Sequence, residues 1–271
     1  MLILKLARGA FQILMLFDAS LILSGDMERK RQVKVFLLAH QDDEIFFLPH
    51  IMNYEPKLFL YLTNGVSAGS KYLALDRRTA EAEFVFKKYL EPLNSQVIWW
   101  GLKSSVSEGE LHKSVNQDLI SELAKLISTQ GCEVTTFITT AFEGAHQDHD
   151  SVAVIARELG EIFKVGIIEM STYPQWFSKF YSFKVLKPRM PLERFRYTRI
   201  RALIMAIRMM VSYRTQLSTW AGLGLSTLSV YAFRGYRSSS PRPVDLIEPC
   251  FYESRQRASQ DEVLKSLTLF K

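Results

Sequence analysis

The sequence predicts an α/β fold: a mostly parallel sheet with helices on both faces, plus a C-terminal helical cap. Three observations predict it. From Val33 onward, short apolar runs rich in β-branched or aromatic residues alternate with longer amphipathic stretches. The runs are largely apolar throughout, as strands covered on both sides require. The chain has 271 residues, 48% hydrophobic and 23% charged, which is ordinary globular composition with enough length for a large core. This composition excludes a disordered, collagen-like or disulfide-framework protein. Cys132 and Cys250 are too few for a CxxC metal site and read as reduced, unpaired thiols, which suits a cytoplasmic protein.

Residues 1–32 are apolar but interrupted by Lys5, Arg8, Gln12 and Asp18. A spanning helix wants about 20 nearly unbroken apolar residues, and an ionised Asp near mid-span costs a few kcal/mol. The expectation is a docked or interfacial amphipathic segment, with an uncleaved signal anchor as the alternative. Strands are expected at 33–38, 57–63, 97–101, 134–140 and 165–170. Helices are expected at 43–54, 72–90, 113–129 and 149–163. In the third helix Val115, Leu119, Leu123 and Leu126 share a face, with Lys and Glu opposite. Residues 33–172 are thus expected to form a Rossmann-like core and 173–271 a basic C-terminal subdomain that caps one end of the sheet. In that subdomain Pro174, Pro188 and Pro191 break the pattern. A long arginine-rich helical candidate follows over 194–216, then an apolar stretch at 220–233 and a linker-like 238–243.

Charge is unevenly spread. Residues 1–170 hold 17 Lys+Arg against 22 Asp+Glu, net −5, whereas 171–271 hold 17 against 6, net +11. The basic half suits an anionic partner: phosphate, lipid headgroup or nucleic acid. Nucleic acid is disfavoured because no recognised binding module is present. The arginines of 194–214 are interleaved with Leu203, Ile204, Ile207, Met210 and Val211. That fits peripheral contact with an anionic membrane, or equally an arginine-lined mouth for a phosphorylated substrate.

Two motifs carry the chemistry. Ala39-His40-Gln41-Asp42-Asp43-Glu44 follows the first expected strand, and Glu143-Gly144-Ala145-His146-Gln147-Asp148-His149-Asp150 follows the fourth. Both therefore sit at the carboxyl edge, where ligands bind in such folds. Three of the five histidines converge there with several carboxylates. Close carboxylates repel and are costly to desolvate unless a cation compensates. Two His and one Asp with an open position make a catalytic-metal pattern, and a surplus carboxylate can act as base. His50 reads as structural or exposed, and His112 as a surface residue. Trp99-Trp100 reads as core, with sugar stacking the lesser alternative.

The paired motifs resemble the AHPDDE and HPDH signatures of the LmbE-like, or PIG-L, zinc-dependent N-deacetylases, over roughly residues 33–216. The resemblance implies a Rossmann-like core and one Zn²⁺ per chain, with another divalent metal acceptable. His40, Asp43 and His149 fall on the metal ligands. Asp42 falls on the general base, His146 on the histidine that stabilises the oxyanion or protonates the leaving amine, and Asp148 on the carboxylate that orients it. Arg78, in Arg78-Thr79-Ala80-Glu81, matches an RxxE element on the substrate side. Asn64 lies in a Thr63-Asn64-Gly65 loop, and Tyr213-Arg214-Thr215-Gln216 resembles a late H-x-S/T-Q element, so Asn64, Arg214 and Gln216 join Arg78 as substrate-binding candidates. Gln41 and Gln147 stand where the family has proline. The implied reaction is removal of the N-acetyl group from an amino sugar in a glycan-, phosphate- or lipid-linked conjugate. The alternatives are an amidase for a larger N-acyl or sugar–thiol conjugate, and a non-catalytic sugar- or lipid-binding relative.

Overall fold

The computed structural model describes residues 30–68, 72–144, 146–170, 172, 193–194, 200–220, 235–237 and 258–267. The N-terminal segment, the apolar 221–233 stretch, the 238–243 linker and Cys250 lie outside them; Cys132 is a free thiol. The sheet starts with β1 (Arg31–Leu38), β2 (Lys57–Tyr61) and β3 (Ser95–Trp99), and continues with β4 (Cys132–Thr140) and β5 (Gly166–Met170). Their order is β3-β2-β1-β4-β5, with parallel neighbours throughout. Chain order thus reverses direction between β1 and β4, which creates a crevice at the carboxyl ends of those two strands. The sequence did not reveal two short antiparallel additions, β6 (Glu193–Arg194) and β7 (Gly235–Arg237), which extend the sheet beyond β5.

Alternation within the strands divides the core in two. Val35, Leu37, Leu58 and Leu60 face one side, while Phe36, Leu38, Phe59 and Tyr61 face the other. The first side is covered by α4 (Gln117–Ser128), α5 (Gln147–Phe163) and α7 (Gln260–Leu267), through residues such as Leu123, Ile155 and Val263. The second is covered by α1 (Leu48–Ile51), α2 (Tyr72–Val85) and α6 (Ile200–Ser212), through Ile51, Val85, Ala202 and Met209. Each fully buried Leu or Phe contributes about 1.5–3 kcal/mol, so covering both faces is what holds the sheet. The described parts of 200–267 therefore complete both faces, and α7 was not anticipated.

Several boundaries moved. The helix expected at 43–54 is a 3₁₀ turn, Asp43–Phe47, followed by the single α-turn of α1. Pro49 near the start of that turn has no N–H to continue an earlier helix. The strand expected at 97–101 ends at Trp99, and Trp100 opens α3 (Trp100–Ser104). Gly101 lies against the backbone of Thr63, where a Cβ would come within 2.3 Å. Trp99 stacks on Tyr61 at 4.7 Å, and the Trp100 indole donates to Glu122 at 2.7 Å. His112, expected at the surface, is buried, with Nε2 3.5 Å from Glu262 Oε1 on α7. The unanticipated helix covers it.

Candidate metal centre

The first motif leaves β1 as a tight turn. The His40 backbone N–H donates to Asp43 Oδ2 at 2.8 Å, and the Asp43 N–H to the His40 carbonyl at 3.3 Å. This returns the Asp43 carboxylate toward its own loop. The second motif is not a loop: it straddles the start of α5, with His146 as the N-cap in extended conformation. The His146 Nδ1 accepts the Asp148 N–H at 3.3 Å, satisfying one of the free donors at a helix start. One turn of helix then sends Asp148 and His149 inward, and both are buried.

The two motifs meet in the crevice. His149 Nε2 lies 3.1 Å from Asp43 Oδ1 and 3.3 Å from His40 Nδ1. The outer nitrogens of both rings are engaged elsewhere. His40 Nε2 lies 3.0 Å from Asp148 Oδ2, and His149 Nδ1 lies 3.2 Å from Thr172 Oγ1. The Thr172 hydroxyl donates to Glu143 Oε2 at 3.4 Å, so it receives the His149 Nδ1 proton. With protons on both outer nitrogens, two ring lone pairs and a carboxylate oxygen face one another. That donor set is repulsive unless a cation sits among it, and its composition fits a divalent metal.

A second group, His40, His146 and Asp148, is also close enough to share an ion. It fits less well, because Asp148 already accepts the N–H groups of Gly109 at 2.6 Å and Leu111 at 3.1 Å, besides facing His40. The sequence expectation paired Asp148 with His146. The structure gives its carboxylate to His40 and these two amides, with His146 near enough to attract its charge.

Electrostatics separate the carboxylates. Burial pushes Asp43 up, but His149 and His40 outweigh it and hold the group well below its usual range. Burial also raises Asp148, and the His40 hydrogen bond with the His146 and His40 charges brings it down to about 2. Asp42 is raised by burial, which the Arg78 guanidinium beside it only partly offsets. His40 is lowered by burial, yet Asp43 and Asp148 together raise it well above its ordinary value. The pocket therefore favours positive charge at its centre.

Of the candidates on the substrate side, Arg78 is buried, with Nη2 2.8 Å from Asp42 Oδ1 and its guanidinium 5.2 Å from the Tyr213 ring centre. Its Nε and Nη1 are buried without a hydrogen-bond partner. Asn64 is buried, and its Oδ1 accepts the Val66 N–H at 3.0 Å. Arg214 is exposed, and Gln216 is half-buried with Oε1 accepting from Thr219 at 3.2 Å. Neither shares a hydrogen bond with the His–Asp cluster among those observed. Their segment is anchored by Thr215, whose N–H and hydroxyl both donate to Glu81 of α2.

Supporting residues were missed. Glu44 is buried and accepts from Tyr61 at 2.9 Å and Tyr213 at 2.5 Å; burial pushes its pKa up to about 7. Asp150 accepts the N–H groups of Glu143 and Gly144 at 2.9 and 3.1 Å, shaping the turn before α5. Glu143 and Thr172 orient His149. For Glu44, Glu143 and Thr172 the signal was available: each is a polar residue just past a strand at the same sheet edge.

No family model matches the sequence, and no curated protein matches it. Solved structures do. A zinc-inhibited form of teicoplanin deacetylase Orf2 is 13% identical, covering 73% of this chain and 90% of that one, with a TM-score of 0.51. A triple mutant of that deacetylase is 14% identical, covers 77% and 92%, and scores 0.50. A deacetylase–teicoplanin complex is 13% identical, covers 72% and 91%, and scores 0.50. At these identities the likeness establishes a shared α/β fold.

Proposed function

We propose that the protein is a metal-dependent N-deacetylase of the LmbE-like type. It would remove an acetyl group from an amino sugar, such as N-acetylglucosamine, carried in a glycan-, phosphate- or lipid-linked conjugate. The observation that carries this reading is the facing of His40 Nδ1, His149 Nε2 and Asp43 Oδ1, with the separate carboxylate of Asp42 one residue away. The fold shared with the teicoplanin deacetylases is consistent with it. Residues 33–172 would carry the chemistry, and the basic 173–271 the mouth.

His40, Asp43 and His149 would hold the ion, zinc by preference. A divalent ion there supplies Lewis-acid polarisation of the amide carbonyl and acidification of water. Asp42 takes the proton from the attacking water. Its Oδ1 is fixed by Arg78, which leaves Oδ2 for the transfer. The His146 Nδ1 accepts a backbone N–H, so in the neutral ring the proton sits on Nε2. That N–H donates to the developing oxyanion, and the proton taken by Asp42 passes to the departing amine nitrogen as the C–N bond breaks. Water adds to the carbonyl carbon, the C–N bond breaks, and acetate and the free amine leave. Arg78, beside Asp42, would bind the substrate, with Asn64, Arg214 and Gln216 as the further candidates. The test is acetate release across N-acetylhexosamine conjugates with and without phosphate or lipid. Release that depends on added metal and on Asp42 supports the reading; none across the panel rejects it.

No helix among the described residues is long and apolar enough to cross a membrane. A cytoplasmic enzyme with peripheral membrane contact is the placement this reading adopts.

A further inference from the structure

The outward face of α6 is unusual. Its packed side is made by Ala202, Ala206, Met209 and Met210. Its solvent side presents Ile200, Ile204, Ile207 and Val211, exposed to 72%, 47%, 46% and 62%. The remaining exposed positions on this helix are Arg201 and Arg208. They stand seven residues apart on one face, about 10 Å along the axis. The helix has no acidic side chain, and the hydroxyl of half-buried Ser212 is turned back onto the Arg208 carbonyl at 2.8 Å. Four β-branched aliphatics in a row on a solvent-facing stripe mark an interaction surface. Beside them Arg201, Ile204, Met205 and Arg208 line a cavity of about 350 Å³ with Met52 and Tyr89.

We infer that this face of α6 docks onto an anionic phospholipid surface. The aliphatic stripe would enter the acyl boundary, while Arg201 and Arg208 meet lipid phosphates at its edge. The cavity gives one headgroup or chain segment a place between them. A second copy of this chain suits the face less well. A two-fold contact presents the same patch from both sides and would set four guanidiniums together with no acid on the face to pair them. The C-terminal end of α6 leads into Tyr213, whose hydroxyl bonds Glu44 beside the metal ligands. Docking there would present the site to molecules held in the surface. The inference deepens the reading of a lipid-linked substrate and rests on it for purpose only, since its test does not use activity.

The experiment is co-sedimentation of the full chain with vesicles of phosphatidylcholine alone, or of phosphatidylcholine mixed with phosphatidylglycerol. It compares low and high salt, and the wild type with Ile204→Glu/Ile207→Glu and Arg201→Gln/Arg208→Gln. The wild type should bind the anionic vesicles and release at high salt. The arginine pair should weaken partitioning roughly 30-fold, at about a fivefold loss for each charge. The isoleucine pair should weaken it by at least roughly tenfold. All replaced side chains are exposed, so melting temperature and metal content should not change. Should the glutamates disturb folding, the arginine pair decides alone. Equal binding by wild type and variants would place any contact elsewhere and overturn the inference. So would no binding by the wild type, or a dimer that the isoleucine pair dissolves. Retained metal and acetate release in the variants would show that the catalytic reading survives such a failure.

Discussion

Asp42 and Asp43 are consecutive in the chain, yet their carboxylates face different side chains. Asp43 lies between His149 and His40, and Asp42 lies against Arg78. The tight turn after β1 achieves this by directing Asp43 back onto the His40 N–H. The first prediction follows from that division. Asp42→Asn should keep metal but lose at least about 100-fold in kcat, the usual range for a general base. His149→Ala should lose metal. Full turnover in Asp42→Asn would remove Asp42 from the mechanism.

Gln147 donates from Nε2 to the Gly109 carbonyl at 3.3 Å, and the Gly109 N–H holds Asp148. The residue also occupies the first position of α5, where proline is well tolerated. His146 before it is extended, φ −140° and ψ 125°, as a residue preceding proline must be. Gln147→Pro should therefore fold with stability within about 1 kcal/mol of wild type, because the stiffer chain offsets one lost hydrogen bond. Its metal affinity should fall severalfold as Gly109 loosens around Asp148. Urea denaturation and metal titration read the two separately, and a large loss of stability would contradict the first half.

Lys57 is fully buried at the start of β2, and its Nζ donates to the carbonyls of Asn53, Glu55 and Leu93. These acceptors belong to two chain segments, the loop before β2 and the turn before β3, at the end of the sheet away from the site. Lys57→Met keeps the stem but orphans the carbonyls, at a cost of about 2–4 kcal/mol. The urea midpoint should drop clearly while metal content stays unchanged. An unaltered midpoint would show that water replaces the ammonium.

His50 is pushed down to about 4, chiefly by burial and then by Lys34. The unfolded chain takes up its proton near 6.5, so below that pH the unfolded state binds more protons than the native one. The contribution of His50 to stability is thus constant above pH 6.5 and declines as pH falls from 6.5 to 4. The total decline is up to about 3 kcal/mol. His50→Leu should flatten that part of the stability profile; parallel profiles for the two proteins would contradict it.

Much of this was legible in the chain. Strands buried on both faces alternate with amphipathic helices, and that pattern defined the layers. The two motifs, each just past a strand, located the site, because adjacent strands of a parallel sheet bring their following loops together. Other features depend on distant partners. His112 looked like a surface residue because the helix covering it begins at Gln260, far along the chain. Glu44 looked like one more acid in a motif until Tyr61 and Tyr213 arrived from two other elements. Asp148 stood two residues from His146, and the packing adds His40 and the Gly109 and Leu111 amides as partners of its carboxylate. Sequence spacing finds which groups gather, and the hydrogen-bond partners of each come only with the packing.

The most direct test of the central claim is the metal content of the purified chain. Wild type and His149→Ala would be stripped with chelator, dialysed against zinc and analysed by elemental spectrometry. The account predicts about one ion per chain in the wild type and its loss in the variant. No bound ion in the wild type, or equal content in both, would contradict it.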